Sequence, residues 1–348
     1  MPQIESDVVR LFFVKTQLER VVADMIASSY TDGSSCFLFA YKEVLLDDFL
    51  WEGWREKQYL NLKQKKGIFS GQRTAIKHLE SIEKVVLSVC VSAKSIEINL
   101  SRLKNNNSNY VIERLKSRFS HAEVKVNIVP HGSSSFYRGQ LSEKEVKKMR
   151  NKNNFLMRSL FPLLKYFAFK GERYGADEPV VQTIYTFPGH VLDHPKAKAI
   201  EFDHFDKIQL GSDLKNDILI VGQPVYMRER LSPDQVARID NRISQLIKEV
   251  GAGDVYFLPH PREDGSMCFF QEGFKLIEYK EPLELLLLKR TFKTVISSFS
   301  TGLFTSKMIL GEACNSYAVG MNLINVPDDE LQQLRQGFQS VGVELIDV

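Results

Sequence analysis

Two short motifs in the C-terminal half of this 348-residue chain carry side chains that could hold a phosphate. His260 and Pro261 follow the β-rich run VYFLP (255–259), and Ser300 and Thr301 stand where the run TVISSF meets a predicted helix. An imidazole can donate to a phosphate, and hydroxyl and backbone N–H groups at a helix N-terminus form an anion cradle. We therefore expect both motifs to contact a phosphate, although a turn and a plain helix cap would also explain them.

Two further positions carry groups suited to proton transfer or sugar binding. Glu284 opens an apolar helix predicted from residue 282, where its carboxylate could accept hydrogen bonds from a ribose diol or simply complement the helix dipole. His131 follows the predicted strand VKVNIVP (124–130), and an imidazole with a pKa of about 6.5 can act as a general base near neutral pH. The small residues after it form a predicted substrate loop: Gly132, Ser133 and Ser134. A lone His before Gly also fits an ordinary turn.

A third group of residues offers a metal-dependent alternative. The imidazoles and carboxylates in question are His190, His194, His204, Asp193 and Asp203. The H-x3-H spacing would place two imidazoles on one helical face and would suit a hydrolase. Because prolines and a glycine interrupt the same stretch, that helix is disfavoured, and the sequence favours a site without metal or cofactor.

Strands and helices alternate along the chain around these motifs. In the first half the pattern predicts strands at 8–14, 36–41, 85–91 and 124–130, helices at 17–29 and 111–119, and a surface turn at 104–109. In the second half it predicts strands at 217–223, 255–259, 274–279, 294–299 and 316–324, and helices at 232–251, from 282 and from 301. Buried β-rich runs separated by helices indicate parallel sheets covered on both faces.

The stretch 188–211 shows no period and mixes Pro, Gly and charge, so we interpret it as a linker. The sequence then predicts an N-terminal Rossmann-like domain at 1–205 and a C-terminal one at 206–348. Two doubly wound domains are expected to face a central cleft that is formed at the carboxyl ends of their strands.

Composition and charge argue against several classes of protein. With 43% hydrophobic and 26% charged residues the chain can fill two cores, and a net charge of +3 does not indicate nucleic-acid binding. The four cysteines form no C-x-x-C pair, the first residues do not resemble a secretory signal, and no run approaches a membrane span. We expect a cytoplasmic globular protein.

Together these motifs resemble the bacterial sialyltransferases of the GT-B fold, in particular the lipooligosaccharide sialyltransferase and polysialyltransferase families. In those families an acidic residue before Gly, a His-Pro pair, a Glu in a short helix and paired hydroxyls follow in this order. The matching positions are His131-Gly132, His260-Pro261, Glu284 and Ser300-Thr301. The chain departs from the pattern at one place, since His131 stands where the families have Asp or Glu.

The resemblance implies an inverting transfer of sialic acid, or a related nonulosonic acid, from a CMP-sugar to a glycan hydroxyl in surface polysaccharide or lipooligosaccharide synthesis. It assigns His131 as general base, His260, Ser300 and Thr301 to the leaving phosphate, with Pro261 beside them, and Glu284 to the ribose. No metal or other cofactor is implied.

A non-catalytic glycan-binding or membrane-surface role remains as an alternative, because the chain carries basic stretches at 62–67 and 144–154. Such stretches are usually solvated surfaces, but they could meet anionic lipid headgroups or an anionic acceptor. A peripheral contact with the inner membrane is therefore left open for the enzyme as well.

Overall fold

The computed structural model describes residues 7–41, 44–46, 51–60, 69–136, 138–200, 216–223, 231–251, 253–260, 268–278 and 282–348. The chain divides into two compact units. The N-terminal unit comprises Met1–His131, Arg138–Thr186 and Leu192–Glu201, and the C-terminal unit comprises Gly132–Tyr137, Phe187–Val191 and Phe202–Val348. The expected domain boundary at 205/206 lies outside the described residues.

The N-terminal unit is built on a seven-stranded sheet. Its elements are β1 (Val8–Val14), α1 (Gln17–Ser28), β2 (Ser35–Ala40), β3 (Glu56–Tyr59), α2 (Ser70–Cys90), β4 (Ser95–Leu100), α3 (Asn106–Arg118), β5 (Glu123–Ile128), α4 (Glu143–Asn151), α5 (Phe155–Leu160), β6 (Val181–Thr186) and β7 (Ala197–Ala199). The strands are parallel in the order β3-β2-β1-β4-β5-β6-β7. Strand β1 is apolar at six of its seven positions and is buried from Val9 to Val14, because both faces of a central parallel strand are covered.

Two sequence predictions in this unit are wrong. Residues 85–91, predicted as a strand, form the end of α2 and the residue after it. The buried positions Ala75, Leu79, Ile82 and Val86 recur at helical spacing, so the period over the whole segment overrides the local β-branched run. The predicted turn at 104–109 overlaps the start of α3, where the Asn109 amide donates to the carbonyls of Leu103 and Phe167.

The C-terminal unit repeats the same plan with six strands. Its elements are β8 (Ile218–Val221), α6 (Pro233–Val250), β9 (Val255–Leu258), β10 (Lys275–Leu276), α7 (Leu283–Lys289), β11 (Thr294–Ser297), α8 (Thr301–Leu310), β12 (Asn315–Val319), α9 (Asp328–Ser340) and β13 (Glu344–Ile346). The strands are parallel in the order β10-β9-β8-β11-β12-β13. Helix α6 has the predicted Ser232 cap, completed by Gln235 in a capping box.

Both sheets therefore show the strand order of a dinucleotide-binding fold, in which the chain reverses direction across the sheet after its third strand. The reversal point lies between the neighbouring strands β1 and β4 in the first sheet and between β8 and β11 in the second. Within the described part of the predicted linker, residues 197–199 form β7 and pair with β6, so that part is not a linker.

An aromatic cluster fills part of the C-terminal unit and uses chain segments that are distant in sequence. Phe136 lies 5.4 Å from Phe304 and 5.8 Å from Phe338 and from Phe187, between ring centroids. Gly337 on α9 makes room for this packing, because a Cβ there would lie 2.2 Å from the Phe136 ring. The short helical turn Ser133–Ser135, which precedes Phe136, is thereby anchored in the C-terminal unit.

Candidate functional site

The carboxyl ends of the strands beside each reversal point carry polar side chains. In doubly wound sheets this edge is where ligands bind, because the connections on its two sides run to opposite faces and leave a crevice. In the N-terminal unit Lys15 follows β1, Ser101 and Arg102 follow β4, and His131 stands three residues beyond β5. Each sheet therefore has its own candidate edge.

His131 lies in a cationic environment within the N-terminal unit. Burial, together with the charges of Arg102, Lys15 and Arg138, lowers the pKa of His131 to about 3. Its ring meets the Tyr174 ring edge-on at 5.6 Å between centroids. The imidazole is thus neutral at neutral pH, which is the protonation state that a general base requires, although its proton affinity is well below that of a free imidazole.

Tyr174 and Arg138 belong to one cluster with Glu172. The Arg138 guanidinium lies 3.6 Å from a Glu172 carboxylate oxygen and 5.5 Å from the Tyr174 ring centroid. Glu172 also accepts backbone hydrogen bonds from Tyr174 and Ala176, at 2.9 and 3.1 Å. This network fixes the side chains that contact and surround the His131 ring.

Glu19 is a carboxylate near the same edge, and its contacts are structural. It accepts from the backbone N–H of Lys15, while its own N–H donates to the Thr16 hydroxyl that caps α1. Burial raises the pKa of Glu19. These bonds hold the start of α1 and with it the position of Lys15.

Ser300 and Thr301 open α8 in the C-terminal unit. The Ser300 hydroxyl accepts from the Gly302 backbone N–H at 3.1 Å, so Ser300 is the helix N-cap that the plainer interpretation predicts. Gly302 has no room for a side chain, since a Cβ there would lie 2.6 Å from Leu283 on α7 and 3.4 Å from Val221 at the end of β8. The helix N-terminus is consequently held against the neighbouring reversal-point strand, where its dipole favours an anion.

The predicted substrate loop reaches this helix end. Gly132 is buried with φ +113°, and a Cβ on it would lie 2.7 Å from the Thr301 Cγ2. The structure therefore brings Gly132 and Thr301 together within the C-terminal unit. Ser133 follows in the helical turn and is half-buried, while the Ser134 side chain lies outside the described atoms.

His260 and Glu284 lie on the same edge of the second sheet. His260 stands two residues beyond β9, and β8 alone separates β9 from β11, so the two strand ends are about 10 Å apart. Pro261 lies outside the described residues. Glu284 is in the first turn of α7, directly after Leu283, which packs on Gly302, and burial raises the pKa of Glu284 to about 7.

The metal-dependent alternative finds no grouping in the part of the chain that the structure describes. Among those residues no three His, Cys, Asp or Glu side chains lie close enough to share an ion. His190 packs on Phe136 at 4.8 Å and its Nδ1 is 3.2 Å from the Ser340 hydroxyl, whereas the Nδ1 of His194 accepts from the Lys196 backbone. Asp203 and His204 lie outside the described residues.

Sequence reasoning missed the cations around His131. Lys15 could have been found, because it directly follows the predicted strand at 8–14, whereas Arg102 follows β4, a strand that the sequence analysis did not predict. Arg138 and Tyr174 could not, since they come together through an isolated pairing of Gln140 with Glu172 that no local pattern marks.

A comparison with known protein families identifies the family of this chain. The model of the alpha-2,8-polysialyltransferase family matches residues 50–314. The chain belongs to the alpha-2,8-polysialyltransferase family. This polysialyltransferase-family chain is accordingly a glycosyltransferase of the sialyl-transfer class, and the resemblance to bacterial sialyltransferases is confirmed. No curated protein sequence matches the chain.

A solved sialyltransferase structure supports this architecture. The alpha/beta-galactoside alpha-2,3-sialyltransferase from Photobacterium phosphoreum is similar over 97% of this chain and 98% of its own, with 14% identity and a TM-score of 0.57. A UDP-GlcNAc 2-epimerase from Neisseria meningitidis covers 97% of this chain and 94% of its own, at 11% identity and a TM-score of 0.44. The polysialyltransferase-family chain thus has the two-domain GT-B fold that the sequence predicts.

Proposed function

We propose that this sialyltransferase is inverting and takes its sugar from a CMP-activated sialic or related nonulosonic acid. The observation that carries the proposal is the start of α8, where Ser300, Thr301 and the backbone at Gly302 meet the reversal point of the second sheet. Neutral donors at a helix N-terminus suit a monoanionic or dianionic phosphate without a metal ion.

The nucleotide is assigned to the C-terminal unit. His260, Ser300 and Thr301 hold the phosphate, with Pro261 fixing the exit of the chain behind His260. Glu284 accepts hydrogen bonds from the ribose diol when it is ionised. As the bond from the anomeric carbon to the phosphate oxygen breaks, the electron pair leaves with CMP, and these donors offset the growing phosphate charge.

The acceptor is assigned to the N-terminal unit, which holds His131. The substrate loop Gly132, Ser133 and Ser134 directly follows His131 in the chain and belongs to the C-terminal unit. His131 removes the proton from the attacking glycan hydroxyl as that oxygen bonds to the anomeric carbon. The cations near His131 favour substrates that bear carboxylates. Neutralisation of Lys15, Arg102 and Arg138 by such a substrate would raise the His131 pKa and so strengthen the base when the complex forms.

The glycan acceptor is proposed to belong to surface polysaccharide or lipooligosaccharide synthesis, with the enzyme in the cytoplasm and in peripheral contact with the inner membrane. Among the helices of the described ranges, none has both the length and the apolar character needed to cross a bilayer.

Ligand-dependent thermal stability tests the nucleotide assignment. A ligand that binds only the folded protein raises its Tm, by an amount equivalent to about 2.7 kcal/mol at one hundred times its Kd. We expect CMP to raise the Tm, whereas UMP, UDP, GDP and AMP at the same concentration leave it nearly unchanged. An equal response to UDP or GDP would reject the CMP assignment. Release of CMP from a CMP-sugar should also persist in EDTA, and its complete loss, restored by a metal ion, would favour a metal-dependent mechanism.

A further inference from the structure

Helix α5 presents its apolar side to solvent. None of its residues is buried, and Phe155, Leu156 and Leu160 are 88%, 60% and 49% exposed. At 3.6 residues per turn these three side chains fall within an arc of about 140°. Met157 lies about 60° beyond this arc and is half-buried. An ordinary surface helix has the reverse arrangement, with its apolar stripe turned toward the core.

The chain around this helix is strongly basic. Between residues 143 and 165 the sequence has seven Lys or Arg and two acidic residues, Glu143 and Glu145. Lys147, Lys148 and Arg150 on α4 and Arg158 on α5 are exposed. Glu145 is already engaged by the α4 capping box and by Lys104, so it does not neutralise these cations. The segment that carries the exposed apolar side chains thus has a net positive charge.

Lys152, between the two helices, lies close to other cations. Burial and the nearby charges of Lys148 and Lys104 lower its pKa to about 8. Its ammonium lies 3.9 Å from the centroid of the Tyr166 ring. An anionic surface at this place would relieve the repulsion among these groups.

We propose that α5 and the basic residues of α4 dock the protein on an anionic phospholipid bilayer. The α4–α5 surface consists of Phe155, Leu156, Leu160, Lys147, Lys148, Arg150 and Arg158. Its apolar side chains enter the boundary between headgroups and acyl chains, and its cations pair with lipid phosphates. The inference rests on the membrane contact in the proposed function and names the surface that makes it.

A bilayer fits this surface better than the other two candidate occupants. A second copy of the chain packed face to face would bring identical basic residues together, which repel. An anionic glycan would match the cations but offers no apolar medium for Phe155 and Leu156. Only an anionic bilayer supplies negative headgroups and hydrocarbon in one plane.

Co-sedimentation of the full-length protein with vesicles tests the assignment. We expect it to partition onto phosphatidylcholine vesicles that contain about 30 mol% phosphatidylglycerol at least about tenfold more strongly than onto phosphatidylcholine alone. Phe155→Ser/Leu156→Ser should weaken binding to the anionic vesicles about tenfold or more. Lys147→Gln/Lys148→Gln should reduce the preference for anionic over neutral vesicles.

Matched controls separate the surface from general exposure and charge. Val191, which is 89% exposed in the C-terminal unit, serves for the apolar variant as Val191→Ser. The exposed residues Lys198 and Lys248 serve for the charge variant as Lys198→Gln/Lys248→Gln. Both controls should partition like the wild-type protein, and circular dichroism melts should show that all variants are folded.

Three results would overturn the proposal. The first is that wild-type protein binds no vesicles or binds neutral ones equally well. The second is unchanged partitioning of Phe155→Ser/Leu156→Ser. The third is a wild-type dimer, seen by light scattering, that this variant splits without changing its vesicle binding. Turnover with a soluble acceptor reports on the transferase separately: its absence in a protein that binds vesicles as expected would reject the proposed function and leave the surface standing.

Discussion

The two sheets have the same strand order, and their carboxyl edges differ in charge. The N-terminal edge holds a neutral imidazole, His131, among the cations of Lys15, Arg102 and Arg138. The C-terminal edge holds hydroxyls and backbone N–H groups at the start of α8, with Glu284 as a carboxylate that titrates near neutral pH. The same strand order therefore carries fixed cations in the N-terminal unit and neutral donors in the C-terminal unit.

This difference in charge suits the two edges to different proposed roles. Fixed cations attract a carboxylate and change the proton affinity of a neighbouring base when that carboxylate binds. Neutral donors at a helix N-terminus orient a phosphate without that change. Loss of a side chain on the first edge should mainly affect proton transfer, whereas loss on the second should mainly affect the nucleotide.

The largest effect is expected from His131→Ala. Removal of a positioned base should lower kcat by about 100- to 10,000-fold while leaving the affinity for CMP nearly unchanged. Steady-state kinetics and calorimetric titration with CMP measure the two quantities. His121→Ala, on the opposite edge of the same sheet, is the control and should remain active. Full activity of His131→Ala would remove His131 from the mechanism.

The pH dependence of the wild-type enzyme sharpens the same point. Because kcat/KM reports the free enzyme, a limb due to His131 should lie near pH 3, far below the value of about 6.5 that the sequence alone suggests. The limb in kcat should lie at higher pH, since a bound anionic substrate neutralises the cations that lower the His131 pKa. His131→Asp should recover part of the activity lost in the alanine variant. Limbs in kcat and kcat/KM that coincide near pH 6.5 would contradict this account.

A smaller loss is expected from Thr301→Val and from His260→Ala. Each removes one donor assigned to the phosphate, and loss of such a donor costs about 2.7 to 4 kcal/mol in the transition state, or about 100- to 1,000-fold in turnover. Thr301→Ser keeps the hydroxyl and should stay close to wild type. Thr305→Val is the matched control, because the buried Thr305 hydroxyl has no hydrogen-bond partner among the described residues. Equal turnover in Thr301→Val and wild type would reject the placement of the phosphate.

Gly132→Ala tests the contact between the loop and α8. An alanine at this position would be strained at φ +113°, and its Cβ would lie too close to the Thr301 methyl. Together these two effects should destabilise the protein by roughly 1 to 3 kcal/mol. Thr301→Ser removes that methyl, so the double variant should regain the steric part and keep the backbone part. Denaturant unfolding of the four proteins in the cycle gives the coupling. Strictly additive effects would mean that the two residues do not meet.

The smallest effect is expected from Glu284→Gln. With a pKa of about 7, Glu284 is ionised above neutral pH, and an ionised carboxylate accepts the ribose hydroxyls more strongly than a protonated one. Affinity for cytidine, which has no phosphate to titrate, should rise by about fivefold as pH increases from about 6 to 8. Calorimetry should show this rise in wild type and its absence in the variant. The same slope in both would exclude Glu284 from the ribose contact.

Much of the scaffold was accessible from sequence because it depends on local signals. The capped helix α6, the apolar strand β8 and the largely apolar strand β1 are examples in which one pattern decides the element. The end of α2 was mistaken for a strand because Val85, Val86 and Val89 favour strands locally, while burial of one helical face decides the outcome.

The features of the candidate site likewise fall into those that can be predicted from the sequence and those that cannot. The motif residues at strand ends could be chosen in advance, since a parallel sheet delivers its loops to one edge. The low pKa of His131 could not, because it results first from burial of the imidazole and then from the charges of Arg102, Lys15 and Arg138, which only the folded chain brings together. The contact between Gly132 and Thr301 likewise requires the packing of Phe136 among rings from α8 and α9.

That aromatic cluster has a consequence for how the protein is made. Phe136 and Phe187 leave the ribosome well before Phe338, with which they complete the packing of the C-terminal unit. At 5 to 20 residues per second the interval between Phe187 and Phe338 is roughly 8 to 30 s. Until Phe338 is made, Phe136 and Phe187 can pack only on each other and, later, on Phe304, so the aromatic core of the C-terminal unit is completed only near the end of synthesis.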